Sequence, residues 1–497
     1  MDQPMSDAFD SSSHSRTTSM MSITSSISDV YTGDGDSNAV VNFERTPEIY
    51  GKMVSDKATA AKFRLEHFYK SQVSECADRL GRLRNLEEKL RNEMAPPDKM
   101  EKELLALGKK ESDFLRLRRK RLGIDDFINI KVIGKGGFGE VRLVQKADSG
   151  QIYAMKTLKK SEMVMRDQLA HARAERDLMA EIDTPWVVQL YYSFQDPTYL
   201  HLIMEFCPGG DLMTMLLQYD TFSEDITKFY IAECVCAVEA VHNLGFVHRD
   251  VKPDNLLIDG TGHLKLSDFG LSTGFYKTHD SSYYQRLMET TGAPFDLDTV
   301  KAIDLSFTQK DRIQTWKKNR RAIAYSRVGS PDYVAVETIR QDGYTKEVDW
   351  WSVGVIMYEC LVGYPPFASQ NSPQMTYYKI MNWSEHLNFP EYSMSWAAED
   401  LIRKLICEPK DRIGANEIKS HPFFQGVDWS SLRSIRPPFV PELQSITDTS
   451  YFPTEDLMDI PDQISYGQGT IDEIHKDLAF VGYTFKRFDY LSRKNAI

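Results

Sequence analysis

The sequence lacks the features that mark secreted, membrane-spanning or metal-scaffolded proteins. Its six cysteines are scattered and form no Cys-x-x-Cys pair, which disfavours a zinc or disulfide framework and fits a reducing compartment. The N-terminus is rich in serine and threonine and shows no apolar signal core. The longest apolar region, Trp350 to Tyr364, is interrupted by Ser352 and Glu359 and is too short to span a bilayer. These absences predict a soluble, cytoplasmic protein.

Acidic residues outnumber basic residues over the whole chain but not in its N-terminal part. The 60 Lys and Arg residues are outnumbered by 72 Asp and Glu, so the formal net charge is −12 and nucleic acid is not the expected partner. Residues 62–121, in contrast, carry 17 basic and 11 acidic side chains, a balance that suits an acidic protein or an anionic surface. The length of 497 residues predicts two or three folded units.

The N-terminal part changes character near residue 55. Residues 1–45 hold few large apolar groups, and we expect them to be disordered because they cannot bury enough surface to offset the entropy of ordering. Residues 55–122 are predicted to be helical. Apolar side chains recur there every three or four positions from Leu65 to Leu90, which predicts one helix of nearly thirty residues beginning at Lys62.

A second helix is expected after the Pro96-Pro97 pair and should extend to about Arg121. Asp98 and Glu101 have the three-residue spacing of a capping box at its start. A helical hairpin with a basic face either binds an acidic partner or packs on its own domain. The periodicity does not choose between these two alternatives.

A glycine-rich segment follows a predicted strand over residues 127–133. Gly134, Gly136 and Gly139 have the Gly-x-Gly-x-x-Gly spacing that dinucleotide-binding folds also use. Here a second strand, residues 142–144, stands where such a fold has a helix. A strand–glycine–strand hairpin lets backbone N–H groups approach a phosphate closely, because no side chains intervene.

A lysine on an apolar strand is the next candidate. Lys156 ends the predicted strand 153–156, and Glu175 lies nineteen residues later within a predicted helix, residues 168–182. Because an unpaired lysine is costly to bury, Glu175 is its expected partner, and the pair would present the ammonium group to nucleotide phosphates. The alternative is an ordinary surface ion pair.

The stretch from His248 to Asn255 holds the side chains that phosphoryl transfer requires. Asp250 can accept the proton of an attacking hydroxyl, Lys252 can neutralise charge on the moving phosphoryl group, and Asn255 can supply an oxygen to a metal ion. Asp268 follows a predicted strand and precedes a Phe-Gly pair. Carboxylate and carboxamide oxygens suit Mg²⁺. Taken alone, the stretch also fits a polar surface turn.

In this order the motifs resemble those of a protein kinase, and Lys252 placed two residues after Asp250 resembles the Ser/Thr kinases. The resemblance covers residues 127–424. It implies an α+β, bilobal fold with a small β-rich lobe, a larger helical lobe, and ATP and Mg²⁺ between them. The residues it implies are, for catalysis, Asp250, Lys252, Lys156 and Glu175; for Mg²⁺, Asn255 and Asp268; and, for the nucleotide, Ile133, Gly134, Lys135, Gly136, Gly137, Phe138, Gly139, Val141, Ala154, Lys156, the gatekeeper Met204, and the backbone of Glu205 and Cys207.

The flanking regions narrow the resemblance. Residues 425–497 contain Pro438 to Pro441 and the aromatic run Phe480 to Phe485, which resemble the C-terminal domain and hydrophobic motif of the AGC group. An insert at about residues 274–323 ends in basic residues. Together with the N-terminal helices, these features resemble the NDR branch of the NDR/LATS family, of the kind seen in fungal polarity kinases. This likeness covers about residues 55–490.

The NDR/LATS resemblance implies regulation by a partner and by phosphorylation. A MOB-family coactivator would bind residues 62–91, and the basic insert would be autoinhibitory. Ser326 would be the activation-loop phosphorylation site, and an upstream kinase of the germinal-centre type would act on Thr484. The protein would serve cell polarity and morphogenesis, in the cytoplasm and at the cell cortex or in the nucleus.

The same likeness implies how substrate is held. Asp211 and Asp254 lie where related kinases bind basic residues of the substrate, so a preference for Arg, His or Lys is expected. Ser330 would offer its hydroxyl to Asp250. The principal alternative from another functional class is a pseudokinase or scaffold that binds nucleotide without turnover, and a metabolic small-molecule kinase is a second one.

One departure from the kinase pattern concerns the end of the activation segment. Ala335-Val336-Glu337 stands where kinases carry Ala-Pro-Glu. Because Glu337 and Arg412 are both present, we expect the ion pair that anchors this segment to form without the proline. Loss of the proline ring is expected to cost about 1 kcal/mol or less.

Overall fold

The structure is a computed structural model. It describes residues 51–136, 139–165, 169–270, 273–274, 312–314, 316, 331–340, 343, 345–369, 373–391, 393–453, 480 and 482–487. Gly51 and Lys52 apart, all of these lie in one unit, residues 53–497. No helix within these ranges combines the length and hydropathy needed to cross a membrane. The predicted disordered tail and nearly all of the insert fall outside them, as do the following site residues: Gly137, Phe138, Ser326 and Ser330.

The N-terminal helix α1 spans Lys52–Asn92 and is longer than the sequence predicted, because it begins before the apolar stripe does. Its only fully buried apolar side chain among the described ones is Leu90. The stripe itself stays largely exposed. The exposed large apolar residues of the stripe are Leu65, Phe68, Tyr69, Val73, Leu80 and Leu83.

Helix α2 spans Pro97–Arg119 and pairs with α1 through an ion pair in which Arg82 Nε lies 2.7 Å from Glu111 Oε1. The predicted capping box at Asp98 and Glu101 is wrong. The helix begins at Pro97, and the preceding residue makes no side-chain cap hydrogen bond. Proline suits the first helical position because its missing N–H would have no helical partner there.

The smaller lobe is built on a six-stranded sheet in the order β1-β2-β3-β5-β4-β10. Its elements are β1 (Phe127–Gly136), β2 (Gly139–Lys146), β3 (Ile152–Lys159), α3 (Lys160–Met165), α4 (Leu169–Glu181), β4 (Leu190–Gln195), β5 (Tyr199–Met204) and, from the C-terminal region, β10 (Phe485–Lys486). All pairings are antiparallel. Lys156 stands in the middle of this sheet, opposite Val141 on one side and Leu202 on the other.

The larger lobe is mainly helical. Its elements are α5 (Leu212–Tyr219), α6 (Glu224–Asn243), β6 (Phe246–Val247), β7 (Leu256–Ile258), β8 (Leu264–Leu266), β9 (Thr273–Gly274), α7 (Val336–Arg340), α8 (Glu347–Val362), α9 (Pro373–Met381), α10 (Trp383–His386), α11 (Trp396–Leu405) and α12 (Ala415–Lys419). Helix α6 begins at Glu224, because the Ser223 side chain accepts a hydrogen bond from the Ile226 N–H and caps the helix.

Helix α8 forms the centre of this lobe. It is buried along nearly its whole length, with Trp350 and Trp351 near its start, and it ends at Gly363 in the left-handed conformation with φ of 94°. It packs against α6 and α11. The predicted α+β class and two-lobed architecture are confirmed, with the sheet in one lobe and the helices concentrated in the other.

Candidate active site

The glycine-rich hairpin joins β1 to β2. Gly134, Lys135 and Gly136 end β1, and Gly136 pairs with Gly139 at the start of β2. A Cβ added to Gly139 would lie 1.7 Å from the carbonyl oxygen of Thr157 on β3. Only glycine fits at this position, because the neighbouring strand backbone is already in contact with it.

An apolar cluster lies beneath this hairpin. Ile133 and Ala154 are buried together, and Val141 packs against them. The sequence analysis missed one member, Phe452, which joins the cluster from the C-terminal region and places its ring centroid 5.8 Å from that of Phe206. An aromatic residue in an otherwise polar tail was the only local signal for Phe452.

The connection between the lobes begins where β5 ends at Met204. The backbone N–H of Glu205 donates to the carbonyl of Gln189 at 2.9 Å, and the side chain of Glu205 accepts from Lys265 Nζ at 2.9 Å. Cys207 is buried, and burial raises the pKa of its thiol well above the usual value. This part of the backbone, for which the resemblance implies nucleotide contacts, is therefore anchored through Gln189 and Lys265.

Lys156 lies at the centre of a three-residue ionic cluster. Its Nζ is 2.8 Å from Glu175 Oε1 on α4 and 2.8 Å from Asp268 Oδ1, which follows β8. Burial opposes the charged lysine, but the charges of Asp268 and Glu175 outweigh it, so the pKa of Lys156 lies above its usual value. Although burial favours protonation of Asp268, the charge and hydrogen bond of Lys156 hold the pKa of that carboxyl below its usual range. Both groups are therefore charged at neutral pH.

The loop between β6 and β7 brings the other predicted catalytic residues together. Lys252 Nζ donates to Asp250 Oδ2 at 2.6 Å, and Asn255 Nδ2 donates to Asp250 Oδ2 at 3.1 Å and to its carbonyl oxygen at 2.7 Å. Pro253 begins the short 3-10 turn that ends at Asn255. The N–H of Ser267 donates to the carbonyl of Asn255 at 2.8 Å, which places the predicted metal ligands, Asn255 and Asp268, on adjoining segments.

Asp349, near the start of α8, fixes the beginning of this loop, and the sequence analysis missed it. One carboxylate oxygen accepts from the backbone N–H of Arg249 at 2.7 Å, and the other accepts from the N–H of His248 at 2.9 Å and lies 2.7 Å from His242 Nε2. Arg249 has a left-handed φ of 67°, a conformation that costs energy and needs such support. The signal in the sequence was a carboxylate next to two tryptophans at the start of an apolar run.

The predicted substrate carboxylates lie on the larger lobe. Asp211 Oδ1 accepts from the backbone N–H of Thr214 at 2.6 Å, so this residue caps α5. Asp254 lies in the 3-10 turn between Lys252, a predicted catalytic residue, and Asn255, a predicted metal ligand. The sequence analysis did not foresee the capping role of Asp211.

The expected ion pair at the end of the activation segment is present. Arg412 holds Glu337 through two hydrogen bonds of 2.6 and 3.1 Å, and both side chains are almost completely buried. The guanidinium also donates to the carbonyls of Glu347 at 2.8 Å and Cys407 at 2.7 Å. Val336, which replaces the usual proline, is fully buried at the start of α7.

The C-terminal segment lies on the smaller lobe beside β4. Phe480 and Tyr483 are fully buried, whereas Thr484 is exposed. The carbonyl of Tyr483 accepts from the Ser193 hydroxyl at 2.5 Å, and the carbonyl of Phe480 accepts from Gln195 Nε2 at 2.8 Å. Phe480 and Tyr483 are therefore packed in the smaller lobe, and the predicted phosphoacceptor Thr484 is exposed next to them.

A fragment of the insert contacts the larger lobe. Trp316 Nε1 donates to Glu359 Oε1 at 2.9 Å, and the Tyr333 hydroxyl donates to Glu359 Oε2 at 2.6 Å. A Cβ added to Gly363 would lie 2.8 Å from the Ile313 side chain, so the insert is closely packed there. The sequence analysis gave Glu359 no role beyond interrupting an apolar run.

Comparison with known proteins identifies this arrangement. Residues 127–294 and 296–424 match the family model described as protein kinase domain. The chain is 55% identical over 471 residues to the serine/threonine-protein kinase CBK1 of Pneumocystis carinii, covering 92% of each chain. It is 52% identical to the protein of the same name from Saccharomyces cerevisiae, covering 92% of this chain and 65% of that longer protein. Identity to the serine/threonine-protein kinase tricornered of Drosophila melanogaster is 50%, over 87% of this chain and 94% of that protein.

Proposed function

This chain belongs to the protein kinase family and is a serine/threonine kinase of its NDR/LATS branch, and from that premise we propose how its site works and what it serves. It transfers the γ-phosphate of ATP to serine or threonine in basic segments of protein substrates, and it thereby regulates cell polarity and morphogenesis. One observation carries the proposal: Lys156 lies 2.8 Å from both Glu175 and Asp268, while Asp250 and Asn255 share the adjoining loop.

The residues present fit ATP and Mg²⁺. Because Nδ2 of Asn255 donates to Asp250, the amide oxygen of Asn255 is the atom that can face a metal, and Asp268 supplies a carboxylate beside it. At the hairpin, Gly139 carries no side chain, and an added Cβ would collide with the backbone of the neighbouring strand. When bound, Mg²⁺ neutralises charge on the β- and γ-phosphates.

The chain's own residues then supply positioning and charge. Lys156, fixed by Glu175, holds the nucleotide phosphates, and Asp250 accepts the proton of the substrate hydroxyl. Lys252, already 2.6 Å from Asp250, provides positive charge beside the position of transfer. Asp349 holds the backbone of Arg249 in its left-handed conformation and so fixes the start of the loop that carries Asp250 and Lys252.

The conservative substitution Asp250→Asn tests this assignment. We expect phosphorylation of a basic Ser/Thr peptide to fall about 10²- to 10⁴-fold, because a general base is lost, while ATP affinity is retained. Asp225→Asn, an exposed aspartate on α6, is the matched control and should leave the rate unchanged. ATP binding by the native chain without any transfer would instead favour the nucleotide-binding scaffold.

Substrate preference is proposed to depend on Asp211 and Asp254, because carboxylates pair well with arginine. Asp211→Asn and Asp254→Asn should each weaken the preference for peptides with arginine over the same peptides with alanine. Equal rates on both peptide sets for the native chain would remove this part of the proposal. Ser330 is proposed to face Asp250. The variant Ser330→Ala, measured in the same peptide phosphorylation assay, tests this role.

A MOB-family coactivator is proposed to bind α1. The support is the exposed apolar stripe, in which Leu65 is 58% and Phe68 53% exposed, on a helix within the locally basic region. We expect Leu65→Glu or Phe68→Glu to abolish co-purification with a MOB protein. Leu105→Glu on α2, where the leucine is 76% exposed, should not affect it. Loss in all three variants would show that the surface is not specific.

Phosphorylation is proposed to activate the kinase at two positions. Ser326 would be modified in the activation segment, and an upstream germinal-centre-type kinase would modify Thr484, whose exposure in the tail suits a phosphoacceptor. The basic insert would restrain activity until then, and the protein would work in the cytoplasm, at the cell cortex or in the nucleus. Alanine substitution at each position, assayed with and without the coactivator, tests both steps.

A further inference from the structure

Three residues beyond the exposed Thr484, the side chain of Arg487 enters the smaller lobe. Its guanidinium is largely buried. Nη2 donates to the carbonyls of Met179 at 3.0 Å and Ile182 at 2.9 Å, and Nε donates to the carbonyl of Leu190 at 2.8 Å. The backbone N–H of Arg487 donates to the carbonyl of Tyr191 at 2.7 Å. One residue of the tail thus binds the end of α4 and the edge strand β4 together.

The position of these contacts on α4 matters. The last carbonyls of a helix have no partners within the helix, and positive charge at this end is favoured by the helix dipole. Met179 lies one helical turn beyond Glu175, on the same face. The arginine therefore fixes the C-terminal end of the helix whose Glu175 holds Lys156 at 2.8 Å.

The tail also contacts the helix nearer its centre. The guanidinium carbon of Arg176 lies 5.8 Å from the ring centroid of the buried Tyr483. Between Tyr483 and Arg487, residues Phe485 and Lys486 pair with β4 as the sixth strand of the sheet. This pairing fixes the position of Arg487 relative to β4. The tail cannot slide along β4 without breaking these backbone hydrogen bonds.

We propose that Arg487 is a positioning residue for phosphoryl transfer: by capping α4 it sets the placement of Glu175, and thereby of Lys156. This inference rests on the kinase activity proposed above. Arginine suits the task because its planar fork donates to several carbonyls at once, whereas a lysine presents a point charge. The tail residue acts through the helix and does not itself touch the nucleotide.

The kinetic test compares three full-length variants. Arg487→Ala should lower kcat on a basic Ser/Thr peptide by about tenfold and leave the peptide KM unchanged, since hydrogen bonds from a charged group to helix-end carbonyls are lost. Arg487→Lys should fall between this variant and the native chain. Lys486→Ala is the control, because it removes the neighbouring positive charge but leaves the α4 cap. Native kcat in Arg487→Ala, or an equal loss in Lys486→Ala, would overturn the proposal.

A double-variant cycle separates positioning from general loss of stability. In a Glu175→Gln background the further effect of Arg487→Ala should shrink to within about twofold, because both changes act on the same contact. An undiminished tenfold loss in that background would contradict the proposal. If Arg487→Ala does not fold, Arg487→Lys replaces it in the cycle, and its own smaller loss of kcat should likewise disappear in the Glu175→Gln background; a loss of unchanged size there would contradict the proposal.

Hydrogen exchange gives a readout that does not depend on activity. Backbone amides near the end of α4 should exchange faster in Arg487→Ala than in the native chain or in Lys486→Ala. Unchanged exchange there would refute the capping role. If the native chain transfers no phosphate, the proposed function fails while exchange still decides the role of Arg487.

Discussion

The buried pair of Glu337 and Arg412 gives the sharpest stability prediction. Arg412 makes two hydrogen bonds to Glu337, one to each of two backbone carbonyls, and its guanidinium carbon lies 5.2 Å from the centroid of the Trp351 ring system. Arg412→Ala leaves the Glu337 carboxylate buried without its counter-ion. Removing one partner of such a pair costs about 3–5 kcal/mol.

The assay is urea unfolding followed by tryptophan fluorescence, because the Trp351 ring system lies beside the Arg412 guanidinium in the larger lobe. With a slope of about 3 kcal/mol per M, the midpoint of that transition should fall by about 1–1.7 M. The matched control is Arg403→Ala. Arg403 pairs with Glu399 one turn away on α11, but its side chain is 53% exposed, so a loss of about 1 kcal/mol or less is expected.

Equal destabilisation by Arg412→Ala and Arg403→Ala would refute the reasoning. It would mean that burial and the extra carbonyl bonds of Arg412 add nothing to the pair. Val336 stands next to Glu337 in place of the usual proline. A large loss in Arg412→Ala would show that the ion pair anchors the end of the activation segment without that proline.

Three further outcomes are expected. Gly139→Ala should weaken ATP binding, measured by titration calorimetry, because the added Cβ would meet the Thr157 carbonyl; unchanged affinity would show that the strand yields. Phe480→Ala should destabilise the chain by about 3–5 kcal/mol, as expected for a fully buried phenylalanine, and unchanged unfolding would show that the tail is not packed. Burial favours protonation of Asp349, but the hydrogen bond and charge of His242 outweigh burial and lower the pKa of this carboxyl. The carboxylate of Asp349 therefore stabilises the fold at pH values above its pKa in the unfolded chain, about 3.9, and this stabilisation is lost as pH falls through its lower pKa in the folded chain. Asp349→Asn should therefore destabilise the chain at neutral pH and by progressively less as pH falls below about 4; an effect that grows as pH falls below about 4 would contradict this sign.

The core of the site could be predicted because its residues carry local signals. Each motif can be recognised within a few positions of the sequence: the glycines between two strands, the lysine on an apolar strand, and Asp250 with Asn255 on either side of a proline. The pairing of Lys156 with Glu175 also follows, since a buried charge needs a partner and the predicted helix offers one.

The residues that were missed act over long separations. Phe452 reaches the apolar cluster beneath the glycine hairpin, and Asp349 bonds to backbone about a hundred positions earlier. Arg487 binds carbonyls near residue 180. Nothing in the local sequence states which backbone groups a distant side chain will meet. The capping-box error has a local cause, because the rule applied to Asp98 overlooked that Pro97 can itself begin a helix.

The central claim is that one cleft brings Lys156, Asn255 and Asp268 around a triphosphate, and a crystal structure with a non-hydrolysable ATP analogue and Mn²⁺ tests it most directly. The anomalous signal of the metal should lie about 2.1 Å from oxygens of Asn255 and Asp268, with the phosphates in contact with Lys156. Metal or phosphates bound away from these side chains would contradict the account.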